Sequence, residues 1–268
     1  MLSLPSTARN NAVAVLGEFV GTFLFLFFSF SGTQIANTPA PADGAAPNAS
    51  NLMFIALAFG LSLMANVWAF YRITGGLFNP SVTLALYLIG GLDWLRAVLV
   101  FVAQLLGGIA AAGVVSALFP GPMVVNTTLG GGASTVQGLF IEVFLTTELV
   151  FVILMLAVEK HRSTHLAPVG IGLSFFLAEL CGVYYTGGSL NPARSLGPAV
   201  VNHTFPKYFW IYWIGPGLGS LLASAFYYLL TILRWQECNP NQDSDGMEKG
   251  QKSISALSDD TRVQLPSP

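Results

Sequence analysis

Six stretches of the chain are apolar over about twenty residues or more, the length one helix needs to cross the ~30 Å hydrocarbon core of a bilayer. They run over 12–32, 51–71, 95–118, 136–158, 165–185 and 208–233, separated by polar or Gly- and Pro-bearing segments. Two further apolar stretches, 81–89 and 193–201, are short. Nine residues make ~14 Å of helix, about half that core. The pattern predicts an all-α membrane protein of six transmembrane helices plus two half-helices. It divides into an N-terminus over 1–11, a transmembrane domain over 12–233 and a polar tail over 234–268. The first run lacks a basic segment before it and a small-residue cleavage site after it, so it is read as an uncleaved anchor.

Composition agrees with a lipid-solvated chain: 9% of the 268 residues are charged and 53% hydrophobic, with a mean hydropathy of +0.65. A net charge of -2 with scattered Lys and Arg offers no basic face, which argues against nucleic acid as a partner. Arg9, Arg72, Arg96, Lys160, Arg162, Arg234, Lys249, Lys252 and Arg262 fall on one side of the six spans, leaving Lys207 and Arg194 for the other. The positive-inside rule then predicts two cytoplasmic termini, with the plasma membrane as the default location. Sequons at Asn48, Asn126 and Asn202 land in the loops this places outside. The loops over 33–50 and 119–135 read as irregular surface connections, and the tail over 239–268 as disordered. Ser253, Ser255 and Ser258 are read as part of a solvating tail rather than as phosphorylation sites. Cys181 is read as packing, and with Cys238 it shows no metal spacing or disulfide framework. No metal site, cofactor or catalytic set is expected, and the three histidines read as surface residues.

The chain repeats itself. Thr74-Gly75-Gly76-Leu77-Phe78-Asn79-Pro80-Ser81 matches Thr186-Gly187-Gly188-Ser189-Leu190-Asn191-Pro192-Ala193. Each copy is preceded by a span carrying an acid and a threonine, Glu18 with Thr22 and Glu142 with Thr146. Repeat one covers about 12–118 and repeat two about 136–233. Each holds three full spans, an odd number, so the second lies upside down relative to the first. Asn is a preferred N-cap and Pro a preferred first helical residue, so each Asn-Pro starts a half-helix near the midplane. Irregular backbone at that depth must be buried in protein or line a wet cavity.

Converging helix N-termini carry partial positive charge and free N–H groups, a barrier to cations and protons. The amides of Asn79 and Asn191 can donate to a passing oxygen. Carbonyls of Gly75, Gly76, Leu77, Phe78, Gly187, Gly188, Ser189 and Leu190 supply acceptors along the approach. Glu18 and Glu142 are too costly in lipid to stay unpaired, and are expected to face inward and accept hydrogen bonds from these segments.

Asn79-Pro80-Ser81 and Asn191-Pro192-Ala193-Arg194-Ser195 resemble the paired Asn-Pro-Ala signatures of the aquaporin family, over about residues 12–233. The resemblance implies a homotetramer with one pore per subunit and an outer filter around Arg194. By spacing from the motifs, the other filter positions fall on Phe59, Glu179 and Gly188. Two departures stand out. Ser81 replaces the motif's alanine, a small-for-small change. Glu179 stands where water-selective members resemble one another in having His; it could pair with Arg194 and narrow the pore or weaken its cation barrier, or, with Gly188 opposite, accompany a wider one. Ser195, where glycerol-conducting relatives usually carry Asp, follows the water-channel pattern. A passive water channel is therefore the first reading, with hydrogen peroxide or glycerol as possible additions. A coupled secondary transporter and a closed adhesive protein are the alternatives; neutral Asn at the midplane counts against the first and unremarkable outer loops against the second. Glu148 is read as a further buried acid, at a subunit interface.

Overall fold

The computed structural model describes residues 5–38 and 48–239. The 239–268 tail, with its three serines and Lys249, Lys252 and Arg262, lies outside the described residues from residue 240 onward.

Among the described residues, six helices are long and apolar enough to cross a membrane. They are α1 (Ser6–Ala36), α2 (Ala49–Phe70), α4 (Trp94–Leu118), α5 (Thr135–Ile153, continued by a π-turn over Leu154–Val158), α6 (Ala167–Thr186) and α8 (Ile211–Ile232). Between them lie two short helices, α3 (Pro80–Leu88) and α7 (Pro192–Val201). No strand occurs among the described residues. Local signals fix several starts. The Asp93 carboxylate accepts from the Arg96 N–H at 3.0 Å to open α4, and Ser134 with Gln137 forms a capping box at α5. At the other end of α6, Gly187 takes a left-handed φ of 82°.

Helices in lipid have no hydrophobic drive toward one another and associate by close packing of small residues. The repeat shows this in matched pairs. A Cβ on Gly107 of α4 would lie 2.7 Å from the Phe19 carbonyl oxygen of α1, and one on Gly219 of α8 would lie 2.7 Å from the Val143 carbonyl oxygen of α5. At the crossing of α2 and α6, Cβ atoms on Gly60 and Gly172 would each press on the other's carbonyl oxygen, at 2.9 and 2.7 Å. Thr22 and Thr146 lie against Gly107 and Gly219, so the threonines that accompany the two acids are also helix-packing contacts. Exposed Phe28, Leu61, Val102, Phe144, Leu177 and Leu222 present an apolar exterior to the bilayer.

Several expectations are corrected. α1 is longer at both ends than its apolar core. Ser6 to Asn11 contain no breaker, and Asn11 accepts from the Arg96 guanidinium. At the far end the buried Gln34 donates to the Pro122 carbonyl at 3.0 Å and accepts from the Val124 N–H at 2.9 Å. The segment over 119–135 is thus more than a surface connection: Met123, Val125 and Thr127 are buried. Cys181 is exposed on α6 rather than packed. Glu148 is exposed as well, because α5 buries Glu142, Val143, Thr146, Leu149 and Val150, and position 148 falls on the opposite face.

Candidate functional site

The two matched loops share one backbone. Gly75, Gly76 and Phe78 have φ of 96°, 70° and 49°, and Gly187, Gly188 and Leu190 have 82°, 62° and 51°. Left-handed geometry is unusual for Phe and Leu and costs on the order of 1–2 kcal/mol each, so something must hold the loops in place. The acids do. Glu18 accepts from the N–H groups of Leu77 at 3.1 Å and Phe78 at 2.8 Å, one to each oxygen. Glu142 does the same for Ser189 at 3.0 Å and Leu190 at 2.8 Å. Charge-assisted bonds of this kind are the stronger ones. In a trans peptide the C=O points opposite to the N–H, so the carbonyls of Gly76, Leu77, Gly188 and Ser189 point away from the carboxylates. Gln104 adds a bond to Glu18 at 2.8 Å and pairs with Thr83 at 3.0 Å. In repeat two, Ser195 stands at the position that matches Thr83 and bonds Ser189 at 2.6 Å and Thr127 at 2.9 Å.

The half-helices meet through their caps. Asn79 accepts from the Ser81 N–H at 2.8 Å, and Asn191 from the Ala193 N–H at 2.9 Å. Each amide also crosses to the other repeat: Asn79 donates to the Leu190 carbonyl at 2.8 Å and Asn191 to the Phe78 carbonyl at 2.9 Å. One of the two N–H groups on each amide is therefore engaged in the junction, leaving one for a passing oxygen. Both asparagines line a cavity of about 10 Å³, walled by Phe25, Leu63, Val67, Leu149 and Phe175. That volume is on the order of one water molecule.

Toward one end of the bundle stands Arg194, 1% exposed. Its guanidinium donates to the carbonyls of Gly188 at 2.9 Å, Val125 at 2.7 Å and Gly187 at 3.1 Å, and lies over the rings of Phe59 at 5.0 Å and Phe30 at 5.5 Å. It also lines a vestibule of about 220 Å³ at that end with Thr33, Asn37, Asn126, Thr128 and Gly187. Phe59, Glu179, Gly188 and Arg194 are brought together here. Neither geometry foreseen for Glu179 is found. Among the described residues no ion pair joins it to Arg194, and both of its buried oxygens lack a hydrogen-bond partner. Nor does Gly188 leave an open space, because a Cβ there would overlap Glu179 Oε2. The carboxylate fills the volume a side chain at 188 would take.

Sequence reasoning missed Gln104, Val125, Phe25, Phe30 and Phe175. Gln104 is a polar residue in an apolar span, a signal that was available. Val125 acts through its carbonyl alone, and the three phenylalanines are indistinguishable in sequence from lipid-facing ones.

Residues 6–228 match the family described as Major intrinsic protein. The chain is 56% identical over 248 residues to "Aquaporin-7" of Botryotinia fuckeliana, covering 91% of this chain and 55% of that one. It is 52% identical over 238 residues to "Probable aquaporin-3" of Gibberella zeae, covering 88% and 83%. It spans about half the length of several of the curated relatives it matches. In structure it is similar to the aquaglyceroporin from Plasmodium falciparum solved by X-ray diffraction, with a TM-score of 0.69 at 25% identity over 81% of this chain and 95% of that one.

Proposed function

The chain belongs to the major intrinsic protein family, whose aquaporin members are channels and not enzymes, and from that premise we propose that it is a passive pore conducting water down an osmotic gradient while excluding protons and ions. The observation that carries the reading is the junction of Asn79 and Asn191 on a cavity of about 10 Å³. A water there meets one free N–H from each amide, backbone of Gly76 and Leu77, and side chains that are otherwise apolar, so it is held weakly and in single file. Two helix N-termini aim partial positive charge at the same point, and Arg194 adds a full charge further out, so a cation or a proton is opposed twice. Phe59, Glu179, Gly188 and Arg194 serve as the outer filter, and Glu18 and Glu142 as the supports of the two loops.

The transmembrane channel domain is taken as 12–233. The assembly is a homotetramer with one pore per subunit, and Glu148, exposed in mid-span on α5, faces a neighbouring subunit. Both termini lie in the cytoplasm and the plasma membrane is the location. A second reading is facilitation of small neutral solutes such as hydrogen peroxide or glycerol. The Glu179 carboxylate at the filter, whose oxygens have no hydrogen-bond partner among the described residues, favours it, since it offers an acceptor to a hydroxyl-bearing solute.

The test is stopped-flow light scattering of proteoliposomes under an osmotic step, with glycerol and peroxide uptake in parallel. Water flow well above that of empty vesicles, without glycerol entry, is the expected result. Water flow equal to that of empty vesicles ends the water reading.

A further inference from the structure

Three aromatic rings stand between the vestibule at Arg194 and the cavity at the asparagines. Phe25 of α1, Phe59 of α2 and Phe175 of α6 are each 0–1% exposed. Their centroids form a closed triangle, with Phe59 stacked on Phe175 at 5.8 Å, and Phe25 set edge-on to Phe175 at 5.7 Å and to Phe59 at 6.3 Å. The outer side of the triangle is Phe59 under the Arg194 guanidinium. The inner side is Phe25 and Phe175, which wall the cavity of about 10 Å³ shared by Asn79 and Asn191. The rings therefore occupy the path between the two places where a polar solute finds partners.

We infer that Phe25, Phe59 and Phe175 form an apolar collar that sets the size limit of the pore, and that Phe175 is its specificity-determining residue. The inference deepens the channel reading and rests on it. Rings in mutual contact confine a solute to the space beside them, so one wider than that space passes only by displacing a ring. Phe59 is the least free to move, being held by Arg194 on one side and Phe175 on the other. Phe25 and Phe175 each touch both other rings and border the inner cavity, but Phe175 is the one stacked face to face on Phe59, the ring under Arg194, so truncating it opens the stack and the cavity wall together. The collar offers no hydrogen-bonding side chain. A solute crossing it gives up its partners for that distance, and the cost rises with the number of hydroxyls it carries. One water loses little; a triol loses more and is also too wide. Selection by the collar is thus separate from the charge barrier at Arg194.

The experiment is glycerol and water permeability of proteoliposomes carrying the native chain, Phe175→Ala and Phe175→Leu, with Phe28→Ala, a ring exposed on the exterior of α1, as a control. The collar predicts that Phe175→Ala raises glycerol entry about tenfold or more over native, the scale on which pocket size discriminates, and by a larger factor than it changes water flow. Phe175→Leu, which keeps most of the volume should the alanine variant fail to fold, raises glycerol entry by less. Glycerol exclusion unchanged in variants that still conduct water overturns the inference, as does loss of water flow in both variants while the native chain conducts. Absence of water flow in the native chain is a different result, and counts against the channel reading itself.

Discussion

Glu179 and Gly188 share a single volume: Glu179 Oε2 overlaps the point where a Cβ on Gly188 would stand. The acid is housed there because its neighbour has no side chain. Gly188 is also left-handed, at φ 62°, and its carbonyl holds the Arg194 Nε–H at 2.9 Å. One glycine thus makes room for the acid, permits the turn and anchors the arginine.

Gly188→Ala is therefore predicted to destabilise the protein by about 1–3 kcal/mol, from a strained φ and from overpacking together. Adding Glu179→Ala should recover the overpacking part and leave the backbone part. Thermal unfolding of the purified protein in detergent, compared across the two single variants and the double, reads the coupling. Strict additivity of the single effects would show that the two side chains do not compete for space.

Glu142→Gln is predicted to cost on the order of 1–3 kcal/mol, the usual penalty for leaving a buried donor unmet. A glutamine presents one oxygen and one NH2 group to two N–H donors, those of Ser189 and Leu190, so one bond becomes a donor–donor contact. Glu18→Gln should do the same to Leu77 and Phe78. Because the loops would lose their register at the asparagines, water flow per folded molecule should fall alongside the unfolding temperature. Native water flow in both variants would remove the acids from the mechanism.

The six spans, the two half-helices and the inverted repeat were legible because each rests on a local quantity: apolar length, an Asn-Pro start, a repeated octapeptide. The pairing of Glu18 and Glu142 with the loops was legible too, since an acid in lipid must have a partner and the loops had N–H groups to offer. What could not be read were relations set by packing between distant helices. The burial of Val125, from a Gly-rich segment that looked like surface, depends on Gln34 and on Arg194. The exposure of Glu148 and Cys181 depends on which face of α5 and α6 the bundle buries, and apolar residues surround both helices. The clustering of Phe25, Phe59 and Phe175 has no sequence signal at all, since 20 phenylalanines are spread along the chain.

Arg194→Val is predicted to raise proton leak through the pore, measured with a pH-sensitive dye inside proteoliposomes under an imposed pH step. The substitution removes a full positive charge and leaves the carbonyls of Gly187, Gly188 and Val125 without its donors. The half-helix N-termini at the asparagines remain, so the barrier should fall without vanishing. An unchanged leak would assign proton exclusion to the asparagine junction alone.

Glu179→Gln tests whether the filter acid acts through its charge or its shape. The native carboxylate is buried, with neither oxygen hydrogen-bonded among the described residues and the Arg194 charge as its electrostatic neighbour, so desolvation of its charge is only partly offset. Glutamine keeps the length and the planar end and removes the charge, so the unfolding temperature should rise or hold. Water flow should be unaffected if the collar and the asparagine junction govern it. Peroxide and glycerol are the informative solutes, because the carboxylate is an acceptor that a hydroxyl-bearing molecule can use and a water does not need. A selective loss of peroxide or glycerol entry, with water flow preserved, would make Glu179 part of a broader solute range. Equal flow of all three in native and variant chains would leave the acid as a space-filling partner of Gly188 and nothing more.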